Sequence, residues 1–348
     1  MPIIDIKEAM PGMVLSKNIE NEENGITLIT SGTVLNSRII ERISSIGIKY
    51  VHIFQKIEED KELLIVEEEY ELQETHKEFA DKTKKLLHSI QLGKKPVITE
   101  ISDVMDDLIN QVTKSNNVLG KLRQLQKESD YLFEHSIKVS MLATMLAKWL
   151  NYSNKDLKLI GYAGVFHDIG KLKISHDILN KAGKLNSREF EIMKKHTVYG
   201  YNILQDTIGV SKSVALSALQ HHEREDGSGY PLGFKSEKIH EFAQIIAICD
   251  IFNAMTTDKV YKSKQSPFKA AEYIARCSFN KLNPRIARVF LDNISKFYVG
   301  NVVKLNTGDI GEIILIHKNE PTRPVIKVGE GFVDLLIEKN IEIEEVIN

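Results

Sequence analysis

From about residue 121 to residue 296 apolar side chains recur every three or four residues, and a histidine or aspartate stands near the inner end of each stripe. Val139, Leu142, Leu146 and Trp149 make one stripe. Phe190, Met193, Thr197, Tyr201 and Leu204 make a second, and Phe242, Ile245, Ile246 and Cys249 a third. This spacing is the signature of amphipathic helices, so the stretch predicts an all-α domain of at least five main helices. His135 falls on the first stripe. His167-Asp168 closes a run with Leu157, Ile160 and Gly164, and Gly170 is placed like a helix C-cap. His196 has Gly200 one turn further on, His221-His222 closes a face made by Val214 and Ala218, and Asp250 ends the third stripe.

A lone histidine on an apolar face is more often a hydrogen-bonded core residue than a ligand, and a buried aspartate is costly unless paired or bound to a cation. Five histidines and two aspartates, all at the ends of apolar faces, are hard to account for separately. Together they predict a shell for two metal ions sharing a bridging carboxylate. Neutral imidazoles and carboxylates suit iron, manganese, nickel or zinc better than magnesium alone. Two such ions, about 3.5–4 Å apart, would hold a hydroxide nucleophile and clamp a phosphodiester. Lys171, just past His167-Asp168, is placed to neutralise a phosphate as a point charge. Its plainer reading is a cation at a helix C-terminus.

The flanking regions carry no such constellation. Residues 1–57 predict a small α/β module: strands at Val14 to Ile19 and Ile26 to Thr30 joined across Asn24-Gly25, a helix from Ser37 to Ile46 ended by Gly47, and a strand from Lys49 to Phe54. Residues 58–120 are highly charged and helix-favouring, and read as a helical connector or a dimer-pairing element, with one helix from Ile101 to Val112. Residues 121–296 are the helical domain, and 297–348, where turn residues punctuate short apolar runs, a small β-rich segment. The predicted fold is therefore mainly α with small α/β and β-rich additions. A net charge of -2 offers no global attraction for polymeric nucleic acid or an anionic membrane. Two cysteines exclude a disulfide framework and a multi-cysteine zinc site, and no signal peptide or membrane span is apparent, so a cytoplasmic location is expected.

The ordered set Tyr131-Leu132-Phe133-Glu134-His135-Ser136, His167-Asp168-Ile169-Gly170-Lys171, His196 with Gly200, His221-His222-Glu223-Arg224 with Asp226-Gly227-Ser228-Gly229-Tyr230-Pro231, and Cys249 to Thr256 resembles the HD-GYP subgroup of the HD phosphohydrolases. The resemblance covers roughly residues 121–296. It implies an all-helical core holding iron, or alternatively manganese, and metal-dependent hydrolysis of cyclic di-GMP to pGpG and often GMP. One metal would take His135, His167, Asp168 and Asp250, and the other Asp168, His196, His221 and His222. Lys171 would contact the scissile phosphate. The loop with Gly227, Gly229, Tyr230 and Pro231 would shape the pocket and offer a contact for partner proteins.

The chain departs from the family pattern at several places. Tyr131 stands where a third metal would need a carboxylate, so two metals are expected and His176 is read as an ordinary surface residue. Lys259 and Lys262 stand where the family carries arginines; lysine keeps the charge but loses the bidentate fork. Both lysines, with Arg285 of Asn283-Pro284-Arg285, are expected to contact substrate. The leading expectation is a cyclic di-GMP phosphodiesterase. The alternatives are a hydrolase of another cyclic dinucleotide, such as cyclic GMP-AMP, and a non-catalytic metal-loaded receptor.

Overall fold

The computed structural model describes residues 3–9, 13, 15–20, 27–29, 33, 35, 37–53, 81–90, 92, 94, 98–114, 131–258 and 264–347. The chain divides into two units, Met1–Leu72 and Gln73–Asn348.

In the first unit β1 (Ile3–Asp5) pairs antiparallel with β4 (Tyr50–His52), and β2 (Ile19–Glu20) with β3 (Thr27–Ile29). One helix, α1 (Ser37–Ser45), packs Ile43 into a core with Ile6, Leu15, Leu35, Val51 and Ile53. The α/β character matches the sequence expectation; the Asn24-Gly25 turn lies outside the described residues.

The second unit begins, among the described residues, with α2 (residues 81–90) and α3 (Ser102–Lys114). Leu86, Ile90, Met105, Leu108 and Val112 are buried in the main core. These helices therefore belong to the helical body, because their apolar faces supply part of its interior. The body continues with α4 (Tyr131–Trp149), α5 (Asn154–Phe166), α6 (His176–Leu179), α7 (Ser187–Lys194), α8 (His196–Gln205), α9 (Lys212–Gln220), α10 (Glu241–Thr256), α11 (Pro267–Cys277) and α12 (Pro284–Ile294). Side-chain caps fix several starts: Ser153 on α5, Ser211 on α9, and Ser266 and Asn283 ahead of Pro267 and Pro284. Asn186 and Glu189 form a reciprocal capping box that opens α7.

Two sequence expectations change here. The stripe from Phe190 to Leu204 is not one helix: it breaks at Lys195 into α7 and α8, and Phe190 is 46% exposed. Gly170 is not a C-cap. The helix ends at Phe166, and Gly170 lies in a 3-10 turn (Ile169–Lys173). A Cβ there would stand 1.8 Å from the His196 carbonyl oxygen and 2.4 Å from the Gly200 nitrogen. The glycine serves backbone-to-backbone approach of this turn to α8, and that approach brings Asp168 beside His196. Gly164 does the same for α4 and α5, where a Cβ would meet the Ser140 Cα at 2.4 Å.

A five-stranded antiparallel sheet closes the unit in the order β8 (Gly331–Asp334), β7 (Val325–Val328), β6 (Ile310–Leu315), β5 (Val302–Leu305), β9 (Ile343–Ile347). Its inner residues Val303, Leu305, Ile313, Ile326 and Ile343 join the helical core. Ser266 donates to the Ile343 carbonyl at 2.7 Å, and Arg323 reaches Glu272 at 3.2 Å. Among the described residues no helix is long and apolar enough to cross a membrane.

Candidate metal centre

Five elements deliver the seven predicted ligands to one place. His135 comes from α4, His167 and Asp168 from the end of α5, His196 from the start of α8, His221 and His222 from just beyond α9, and Asp250 from α10. The ligand atoms fall into two groups, each within 4.8 Å: His135, His167 and Asp250, and Asp168, His196, His221 and His222. Asp168 lies between the groups. Its Oδ2 is 3.3 Å from His167 Nε2 and 3.7 Å from His135 Nε2, while its Oδ1 is 3.4 Å from His196 Nε2 and 3.7 Å from His221 Nε2. Asp250 Oδ1 is 3.0 Å from His135 Nε2.

The protons on these rings are held elsewhere. His167 Nδ1 donates to the Gly164 carbonyl at 2.8 Å, His196 Nδ1 to the Met193 carbonyl at 2.7 Å, and His221 Nδ1 to the Ala218 carbonyl at 3.0 Å. In the neutral ring this leaves the lone pair on Nε2. Nitrogen lone pairs then face carboxylate oxygens across 3.3–3.7 Å, and His196 Nε2 faces His221 Nε2 at 3.5 Å. Acceptor opposes acceptor, which is stable only with a cation between them. Consistently, His167 Nε2 and Asp168 Oδ1 are buried without a hydrogen-bond partner. The donor set therefore fits divalent metal ions, with Asp168 offering one oxygen to each group.

The electrostatics point the same way. Burial pushes His135, His221 and His222 below the usual imidazole range and brings His196 down to about 4, so all four favour the neutral, ligating form. His167 is the exception: burial opposes its charge, but the Asp168 carboxylate outweighs burial and raises that pKa. Burial works against ionisation of both aspartates. Lys171 and His167 nevertheless hold Asp168 well below the carboxylate range, and His135 does the same for Asp250. Lys171 pairs with Asp168 Oδ2 and remains partly exposed.

The Gly-Tyr-Pro loop covers the His222 side. Gly227 has φ +81°, and a Cβ on Gly229 would meet Glu223 Cα and the His222 carbonyl at 2.5 Å, so both glycines are required by the path. The Tyr230–Pro231 peptide is cis. The Tyr230 ring stacks on His222 with centroids 4.7 Å apart at 29°.

Two residues were not singled out from sequence. Glu223 is buried, and its carboxylate accepts from Leu232 N–H at 2.7 Å and Phe234 N–H at 3.0 Å, fastening the loop. Asn253, one turn beyond Asp250, meets His135 Nδ1 at 2.7 Å, and Thr257 Oγ1 donates to its Oδ1 at 3.1 Å. The i, i+3 spacing of Asp250 and Asn253 was the available signal.

Of the other expected site residues, Arg285 stands apart. Arg285 pairs with Glu241 at the opposite end of α10 from Asn253, and the structure does not bring it to the metal ligands. The sequence pattern could not register that Glu241 would claim it. His176 is exposed. Lys259 and Lys262 lie outside the described residues, as does the Tyr131 side chain.

Comparison with known proteins follows this geometry. The HD domain family model matches residues 114–286. A protein named cyclic di-GMP phosphodiesterase PA4108, from Pseudomonas aeruginosa, is 32% identical over 243 residues, 70% of this chain and 58% of that protein. A Thermotoga maritima cyclic di-GMP phosphodiesterase is 34% identical over 187 residues, covering 53% and 50%. The Vibrio cholerae 3'3'-cGAMP-specific phosphodiesterase 1 is 36% identical over 172 residues, covering 49% and 40%. The chain thus spans about half the length of the curated relatives it matches. Among solved structures, Bd1817, a HDG"Y"P protein from Bdellovibrio bacteriovorus, superposes with a TM-score of 0.54 at 14% identity, over 83% of this chain and 97% of that one, a likeness of fold. With the ordered His/Asp set assembled in that fold, the chain belongs through residues 114–286 to the HD domain family.

Proposed function

We propose that this chain is a metal-dependent phosphodiesterase that hydrolyses a cyclic dinucleotide, cyclic di-GMP first, to pGpG or GMP. The observation that carries the proposal is Asp168, with one oxygen turned to His135 and His167 and the other to His196 and His221. A pair of divalent ions held there, iron or alternatively manganese, with zinc or nickel also suited to the donors, supplies an activated water and Lewis-acid charge for phosphodiester cleavage.

The chain's own residues do the rest. The backbone carbonyls of Gly164, Met193 and Ala218 keep protons on Nδ1 and leave Nε2 free to ligate. Burial of His167, Asp168, His196 and His221 excludes bulk water and strengthens every charge interaction in the pocket. Lys171, partly exposed beside Asp168, provides the cation for a non-bridging phosphate oxygen. The cyclic di-GMP reading is supported by the names of the Pseudomonas and Thermotoga relatives, and the 3'3'-cGAMP name of the Vibrio relative supports a second reading on the same centre. The Gly-Tyr-Pro loop as a contact for protein partners, a homodimeric assembly and a cytoplasmic location complete the proposal on the sequence reading.

The test is product formation from cyclic di-GMP and from 3'3'-cGAMP by anaerobically purified protein, with metal content determined on the same sample. Conversion that disappears in the His167→Ala/Asp168→Ala variant, with two metals per chain in the parent, is the expected result. Metal-replete protein that binds either nucleotide and forms no product would overturn the enzyme reading in favour of a receptor.

A further inference from the structure

The metal cluster is not uniformly buried. His167, His196, His221 and Asp168 are almost fully enclosed, whereas Asp250 and Lys171 are 15% and 22% exposed and His222 is half-buried. Solvent exposure at the cluster is thus confined to the partly exposed His222, Asp250 and Lys171. Tyr230 borders that edge, stacked on His222. The next ring outward is Phe190 of α7, edge-on to Tyr230 with centroids 6.2 Å apart at 80°. Lys194, one turn further along α7, holds its ammonium 5.5 Å from the Phe190 centroid and 5.8 Å from the Tyr230 centroid, and pairs with Glu191 at 2.6 Å. Phe190 is nevertheless 46% exposed, and no residue of α7 is fully buried. An exposed phenyl ring is thus fixed in angle by a neighbouring ring, flanked by a cation, and two ring-to-ring steps from a ligand imidazole.

A cyclic dinucleotide asks for such a surface. Its phosphodiester is small and anionic and suits the enclosed cluster. Its purines are broad and flat and must lie outside, within one nucleotide of the cleaved bond. An aromatic face accepts any purine by stacking, and an adjacent lysine complements the second phosphate or a purine carbonyl. We propose that Phe190 is the stacking platform for one purine base of the bound dinucleotide, with Tyr230 setting its angle and Lys194 beside it. The inference rests on the phosphodiesterase reading above.

Stacking of this kind is made equally in the ground and transition states, so its loss raises KM and leaves kcat nearly unchanged. The experiment compares wild type, Phe190→Ala and Phe190→Trp on cyclic di-GMP and 3'3'-cGAMP, and on bis(p-nitrophenyl) phosphate, a diester without a base. Metal content is measured for each protein. For Phe190→Ala the expected result is a rise in KM for the cyclic dinucleotide of roughly tenfold to a hundredfold. That rise should exceed any change on the base-free diester, and Phe190→Trp should restore it. An unchanged KM in Phe190→Ala would overturn the platform while leaving the phosphodiesterase reading intact. Equal losses on both kinds of substrate, or loss of metal, would also overturn it by making Phe190 a brace for Tyr230. Wild type that cleaves bis(p-nitrophenyl) phosphate but neither cyclic dinucleotide would remove the substrate reading, and the platform with it.

Discussion

Glu223 carries the most direct link between one side chain and the shape of the site. It is 3% exposed, and both of its oxygens accept backbone N–H groups of the Gly-Tyr-Pro loop, at 2.7 Å from Leu232 and 3.0 Å from Phe234. Glu223→Gln keeps the volume but turns an amide NH2 toward one of those donors. One charge-assisted hydrogen bond is lost and one buried N–H is left unpaired. A hydrogen bond to a charged group contributes about 1.5–3 kcal/mol and an unsatisfied buried donor costs about 1–3 kcal/mol; since the two overlap, about 2–4 kcal/mol is expected. The loss falls on closure of the loop, because both donors lie in it. Opening of the loop should increase by about 30- to 1,000-fold, at 1.4 kcal/mol per factor of ten. Native-state hydrogen exchange reads this directly: protection of the Leu232 and Phe234 amides should fall by that factor while amides in α4 and α5 keep theirs. Fluorescence of Tyr230, which stacks on His222, provides a second signal. Unchanged protection at Leu232 and Phe234, or a uniform loss across the helical body, would refute the view that Glu223 fastens this loop.

Other substitutions probe the rest of the site. Gly170→Ala places a Cβ 1.8 Å from the His196 carbonyl, so the turn carrying Asp168 must move away from α8; the metal content of purified protein by elemental analysis should fall below that of the parent. Asn253→Ala removes the side chain that meets His135 Nδ1 and should weaken metal binding about 10- to 100-fold in a chelator competition, the usual effect of losing a ligand's outer partner. In metal-free protein, His196 has a folded pKa of about 4 against 6.5 unfolded, so between these values the unfolded chain binds more protons. Its contribution, about 3 kcal/mol by the 1.36 kcal/mol per unit relation, is fully present above pH 6.5 and is lost as the pH falls toward 4. Urea melts across that window should show a shallower pH dependence for His196→Gln than for the parent; parallel profiles would contradict the assignment.

Much of this protein is legible in one dimension. Helical periodicity marked α4, α5, α9 and α10, since a stripe of apolar residues has to face an interior. The seven candidate ligands stood out because buried imidazoles and carboxylates at the ends of such stripes need a common partner, and the structure gathers all of them into two groups that could hold a metal ion. Short strands after residue 300 followed from turn residues between short apolar runs, and the structure pairs them antiparallel. What the sequence could not supply was anything decided between elements far apart in the chain. The purpose of Gly170 is set by α8, which approaches its backbone from more than twenty residues away. Arg285 carries the right charge for a phosphate, yet Glu241 is its neighbour. Phe190 fits a buried helical period and stands exposed, because the helix breaks at Lys195 and turns that face outward beside Tyr230. Periodicity reports which face of a helix avoids water; which backbone, charge or ring waits on the other side is fixed only when distant segments pack together, and that contact assigned Asn253 to His135 and Glu223 to the loop.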